Sequence, residues 1–144
     1  MGGRRIRKME NEKDKKLNIR TTGLREWKNK PSYNRTESTP YKAIKELFNR
    51  FKLTNEDTFV DFGSGKGRMC FYVNKYFDCT IKGIEAKALT FDDALYNLDN
   101  YIKNKSNYNE KINFLYKTAE NYEIKKEDNV FFKVDSYQIR NQID

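Results

Sequence analysis

From Phe59 to Arg68 the chain reads FVDFGSGKGR: an acid, Asp61, sits near the end of an apolar run, and Gly63, Gly65 and Gly67 follow at alternate positions. Glycine loses more backbone freedom on folding than any other residue, and the chain holds only seven. Three in one turn mean that something must approach the backbone closely there. A phosphate-binding P-loop needs a glycine six positions before its lysine and Ser or Thr after it. Lys66 has Val60 and Gly67 at those places, so that chemistry is excluded twice. A dinucleotide fingerprint needs its third glycine where Arg68 stands, so the pyrophosphate form is imperfect. What remains is GxGxG preceded by an acid. Its N–H groups can meet a carboxylate and Asp61 can attract an ammonium, which suits a ligand carrying an amino acid and a nucleoside.

A second acid supports this reading. Glu85 closes the run CTIKGIE, eighteen residues after Gly67. A carboxylate at that offset, at the end of a second strand, reaches a ribose and accepts bonds from its vicinal hydroxyls.

The elements that must position these groups follow from periodicity. TPYKAIKELFNRF predicts a helix with Thr39 as N-cap and Pro40 at its first position. Its apolar face would be Ile44, Leu47, Phe48 and Phe51. Residues 57–62 read as a buried strand, and KGRMCFYVNKYF as a helix turning Cys70, Val73 and Phe77 inward. Residues 79–85 form a second strand. A helix over about 89–104 follows, with an apolar stripe of Phe91, Leu95, Leu98 and Ile102 and with Asp92 and Asp93 near its positive end. After the polar loop NKSNYNEK, INFLYKT and NVFFKV supply two more strands. This alternation predicts an α/β fold built on a parallel sheet.

Composition limits the chemistry. There is no histidine, which removes Ser-His and Cys-His nucleophiles, and Cys70 and Cys79 without histidine cannot form a structural zinc site. No metal site is expected, and a base would have to be Asp, Glu, Lys or Tyr. The net charge of +8 is concentrated: residues 1–30 hold eleven Lys or Arg against four acids, and the remainder eighteen against seventeen. Residues 1–35 therefore read as a basic N-terminal arm, a solvated tail that could touch nucleic acid, and residues 36–144 as the domain. Before Trp27 no Phe or Tyr is interleaved with the basic residues, so a base-stacking platform is poorly supported. No apolar run is long enough to span a bilayer and no signal-type core follows the basic start, so the expected setting is cytoplasmic.

FVDFGSGKGR followed by GIEAKALTFDDALYNL resembles the class I S-adenosylmethionine-dependent methyltransferases, over roughly residues 36–134. YNRTESTPYKAIKELF resembles the entry segment of bacterial members. The resemblance implies a Rossmann-like parallel sheet and S-adenosylmethionine as cofactor. It implies that Asp61, Gly63, Ser64, Gly65 and Gly67 form the methionine-side loop and that Glu85 holds the ribose. Ala119 and Glu120 would lie near the adenine, and Thr39 and Tyr41 would close over the cofactor, although Tyr41 equally suits packing of its helix.

The family pattern breaks after the fourth strand. There the chain reads NVFFKVDSYQIRNQID without the usual proline-bearing catalytic loop, and Asp135, the candidate acid at that place, reads as a loop residue. Four of the family's seven strands are legible. The expectation is a member truncated after strand four, with catalytic residues and methyl acceptor unassigned. The alternative is a non-catalytic remnant that binds cofactor weakly, or nucleic acid through its arm.

Overall fold

The computed structural model describes residues 2–22, 38–105, 108 and 110–134. Strands β1 (Thr58–Phe62), β2 (Thr80–Glu85), β3 (Ile112–Tyr116) and β4 (Val130–Lys133) form one sheet in the order β3-β2-β1-β4, every pair parallel. Helices α1 (Gly2–Leu17), α2 (Tyr41–Arg50), α3 (Arg68–Phe77) and α4 (Ala88–Lys103) accompany it, with a 3₁₀ turn at Ala119–Asn121. The chain steps outward from β1 to β3 and then returns to the other side of β1. Between β1 and β4 the order reverses, and α/β sheets bind ligands outside the carboxyl ends of their strands at such a point.

Strand residues alternate between faces, and the register makes the two faces unequal. Phe59, Ile81 and Ile112 lie side by side, as do Gly83 and Phe114, and they meet the main core. Phe71 of α3 packs on Phe114 at 5.6 Å between centroids and on Tyr101 of α4 at 4.9 Å. Phe48 of α2 closes the other end, 6.2 Å from Phe59 and 5.3 Å from Phe77. The opposite face carries a smaller cluster of Val60, Ile84 and Tyr122. Over it, Asp128 accepts from Lys82 Nζ at 2.7 Å and from the Tyr122 hydroxyl at 2.6 Å, which pins the loop before β4.

Three sequence expectations are corrected. Residues 1–35 are not a uniformly solvated arm: residues 2–17 are α1, and Asp14, Leu17, Ile19 and Thr21 are buried. Basic residues dominate the exposed side of α1, but Asp14 and Leu17 turn inward, three apart on one helical face. Residues 23–35, with Trp27, lie outside the described residues, as does Asp135. Second, α2 starts at Tyr41 after Pro40, and Tyr41, Ile44 and Phe48 are buried while Leu47 and Phe51 are exposed. Phe48 stacks on Tyr72 at 6.2 Å, so the helix leans on that line of residues. Third, the buried side of α4 is Thr90, Ala94, Asn97 and Tyr101, with Phe91, Leu98 and Ile102 half-buried on its flank and Leu95 exposed. No acid stands in its first turn; instead the Glu85 carboxylate accepts the Lys87 N–H at 2.9 Å, just ahead of it.

Candidate active site

The glycine turn joins the carboxyl end of β1 to α3. Gly63, Gly65 and Gly67 all have positive φ, at 77°, 60° and 99°, a region that side-chain-bearing residues seldom adopt. At Gly67 space is limiting too, since a Cβ there would stand 2.5 Å from the Phe71 ring and 2.9 Å from the Phe114 ring. At Gly63 a Cβ would meet nothing within 4 Å, so that side of the turn is open. The turn is hung on β2 by Gly63 N–H and Ser64 N–H, which donate to the Ile84 carbonyl at 2.8 and 3.0 Å.

Glu85 curls over this turn. Its Oε1 accepts the Gly65 N–H at 2.8 Å and its Oε2 the Lys87 N–H. A carboxylate offers about four lone-pair positions, so each oxygen keeps one for a further donor. The backbone carbonyl of Glu85 accepts from Lys117 N–H at 3.1 Å, which brings the segment after β3 alongside. Ala119 there is half-buried and Glu120 exposed.

Asp61 is buried beneath the turn, where its Oδ2 accepts from the Cys70 thiol, whose Sγ lies 3.7 Å away. Burial pushes its carboxyl up to about 8; the thiol bond opposes this and the Glu85 charge adds to it. A cation brought to this place would relieve both carboxylates. Ser64 Oγ is buried without a hydrogen-bond partner among the described residues. A Cβ on Gly83 would stand 2.9 Å from that oxygen and 2.6 Å from Phe114, so β2 needs glycine beneath the turn. An orphan hydroxyl, a carboxyl held up by burial, a half-used carboxylate and an open glycine edge fit a ligand that brings an ammonium and hydroxyl donors.

The exit of the turn is built differently. Arg68, the first residue of α3, is buried. Its Nε donates to Thr21 Oγ1 at 2.6 Å and its Nη1 to the Thr39 carbonyl at 3.1 Å. The guanidinium pairs with Glu10 at 3.3 Å and with Asp14 at 3.7 Å, and lies 4.2 Å over the Tyr41 ring. Asp14 also accepts from the Thr21 and Thr22 N–H groups and from the Thr21 and Tyr41 hydroxyls. Tyr41 is thus occupied in joining α2 to α1, its hydroxyl pushed upward by burial and by Asp14. A cavity of about 600 Å³ lies on this side, lined by Ser38 and Pro40, the neighbours of Thr39, with Arg7, Glu10, Thr22 and Arg68. Thr39 therefore belongs with the exit of the turn, and Asp61, Ser64 and Glu85 with its entry.

Sequence reading missed Gly83, Arg68 and Asn97. Gly83 carried a signal, a glycine inside a strand, which marks a close approach. Arg68 and Asn97 carried none, because their partners lie far away in sequence.

The family model described as histone methylation protein DOT1 matches residues 15–133. The chain belongs to this family. Solved structures share the fold. One is an RNA methyltransferase of Salinibacter ruber in complex with S-adenosyl-L-homocysteine: 18% identity over 74% of this chain and 68% of that one, TM-score 0.59. Another is a SAM-dependent methyltransferase of Thiobacillus denitrificans, also with S-adenosyl-L-homocysteine: 21% identity, 70% and 38% covered, TM-score 0.56. A third is a geranyl diphosphate C-methyltransferase of Streptomyces coelicolor: 14% identity, 65% and 34% covered, TM-score 0.56. The chain spans 68% of the first protein but little more than a third of the other two. No curated protein sequence matches it. The Rossmann-like class I methyltransferase fold that the resemblance implied is borne out, and with it S-adenosylmethionine as the cofactor of the class. The family match begins at residue 15, so it includes the buried residues between Leu17 and Thr21.

Proposed function

We propose that this chain binds S-adenosylmethionine across the carboxyl ends of β1 and β2 and serves methyl transfer to an acceptor. The observation that carries this reading is Glu85, whose carboxylate is held over the glycine turn by Gly65 N–H with hydrogen-bonding capacity to spare. When bound, the cofactor supplies an electrophilic methyl group on a sulfonium. The chain's own residues bind and orient. Glu85 accepts from the ribose hydroxyls, and Asp61 balances the ammonium of the methionine part. The open edge at Gly63 admits the amino-acid end, and Ser64 Oγ gains a partner. The segment at Ala119 and Glu120 borders the adenine. Thr39 holds the exit of the turn through Arg68, and Tyr41 supports it from α2. Catalysis by such a site is largely positioning of acceptor and donor in line.

For the acceptor we propose an anionic macromolecule, nucleic acid, meeting the basic side of α1. Arg4, Arg5, Lys8, Lys15 and Lys16 are exposed there, while Asp14 is turned inward. A cytoplasmic setting suits the two buried free thiols, Cys70 and Cys79. Among the described residues no helix is long and apolar enough to cross a membrane.

Calorimetry tests the cofactor reading. S-adenosylhomocysteine should bind and NAD should not. Glu85→Ala should weaken binding by more than about tenfold, since two charge-assisted hydrogen bonds are lost, with circular dichroism nearly unchanged. Equal affinity in the variant, or binding of NAD alone, defeats the assignment. RNA binding that does not weaken with added salt defeats the acceptor proposal.

A further inference from the structure

We propose that Asn97 is a positioning residue for the cofactor, its carboxamide locking the exit of the glycine turn against the segment Asn18–Thr22. The inference rests on the cofactor reading above and adds a residue outside the set proposed there to contact the cofactor.

Asn97 is 1% exposed, on the side of α4 that faces the core. A buried carboxamide must find partners, and this one finds them on two backbones distant in sequence. Its Nδ2 donates to the Lys66 carbonyl at 3.0 Å and to the Arg20 carbonyl at 3.1 Å, and its Oδ1 accepts the Arg20 N–H at 2.9 Å. Both amide hydrogens are thereby committed. Lys66 stands between the second and third glycines of the turn.

The consequence lies in the peptide unit Lys66–Gly67. A trans peptide is planar, so its C=O and N–H point in opposite directions. Here the oxygen end is held by Asn97, and the N–H end donates to the Ser64 carbonyl at 3.0 Å. With both ends held, the plane cannot turn. A glycine at position 67 makes such rotation cheap when nothing prevents it, and its φ of 99° is one that the turn must keep. The same carboxamide grips Arg20, one residue from Thr21, which accepts from Arg68. The turn's exit is therefore held from two directions by one segment. Any rotation there would carry along the Ser64–Gly65 side, where the cofactor contacts are placed.

The test compares two alanine variants of the full chain. Asn97→Ala removes the grip on Lys66. Asn18→Ala is the control: it cuts the 2.6 Å bond from Asn18 Nδ2 to the Asn100 carbonyl, which ties the same segment to the same helix without touching the turn. Both should melt at lower temperature than wild type. At a temperature where both are folded, Asn97→Ala should bind S-adenosylhomocysteine at least about tenfold more weakly, and Asn18→Ala within about threefold of wild type. The Gly67 amide should exchange its hydrogen faster in Asn97→Ala alone. Affinity of Asn97→Ala within about threefold of wild type, or an equal loss in both variants, overturns the proposal. If Asn97→Ala does not fold, Asn97→Ser takes its place, with a clear loss of affinity expected and wild-type affinity overturning the idea. Should wild-type protein itself fail to bind S-adenosylhomocysteine, the cofactor reading falls, and the claim on the turn is then decided by Gly67 exchange in the cofactor-free variants.

Discussion

The two sides of the glycine turn are satisfied to different degrees. At its exit, polar capacity is consumed: Asp14 accepts from four groups besides its ion pair, Arg68 donates to two oxygens and pairs with two carboxylates, and Asn97 makes three bonds. At its entry, Ser64 Oγ has no partner among the described residues and Asp61 has a thiol. Buried polar groups are costly when unpaired, so the open side is where an added partner would relieve a cost, and the other side is where little is left to relieve. Sequence reading concentrates on the open side, because glycines and acids advertise it. The closed side is what keeps the open one in shape.

The largest effect should come from breaking the closed side. Asp14→Ala leaves Arg68 buried with Glu10 as its one carboxylate partner among the described residues, and strips an acceptor from Thr21 and from Tyr41. Removing one partner of a buried pair costs about 3–5 kcal/mol, which urea unfolding would read as a lowered midpoint. A loss within the range of exposed ion pairs, below about 1 kcal/mol, would mean that α1 does not dock as described.

The next effect sharpens the open side through pH. With its carboxyl pushed up to about 8, folded Asp61 holds a proton over a range where an unfolded aspartate has released it. Stability should therefore fall as pH rises from about 4 to 8, because the folded state binds more protons there. An ammonium beside Asp61 favours the charged form, so cofactor binding below about pH 8 expels a proton, and affinity rises with pH by up to about tenfold per unit. Asp61→Asn should flatten both dependences. Calorimetry in buffers of different ionisation enthalpy would detect the released proton in wild type and its absence in the variant; no proton release at neutral pH in wild type would contradict the assignment.

The smallest effect isolates the orphan hydroxyl. Ser64→Ala removes an unsatisfied buried group, so the cofactor-free protein should be unchanged or more stable by up to about 1 kcal/mol. Cofactor affinity should fall severalfold. Thermal melts with and without S-adenosylhomocysteine separate the two. A destabilised cofactor-free variant would show that Ser64 Oγ already has a partner.

Local rules carry far along this chain. The strand ends at Phe62 and Glu85, the α3 residues Cys70 and Val73, and the glycine turn at Gly63, Gly65 and Gly67 were all legible, since each is set by residue type and spacing of a few residues; the positive φ at all three glycines came only with the structure. Periodicity failed on α4, where the most apolar line is not the most buried one. There the core takes in Ala94, fully buried, and Asn97 with its hydrogen bonds, and the larger Phe91, Leu98 and Ile102 fill the flank.

By itself, then, the sequence determined the parallel α/β class, the glycine turn and the acid that ends the second strand, because those depend on residue type and short spacing. Tertiary structure alone decided that residues 2–22 belong to the domain and which face of α4 is buried. It also decided that Arg68 and Asn97 hold the turn from its far side. Asp14 meets Arg68, and Asn97 meets Arg20 and Lys66, only after the chain has folded back on itself. A charged residue in the sequence reads as solvated until a partner removes it from water, and here each partner comes from a different element.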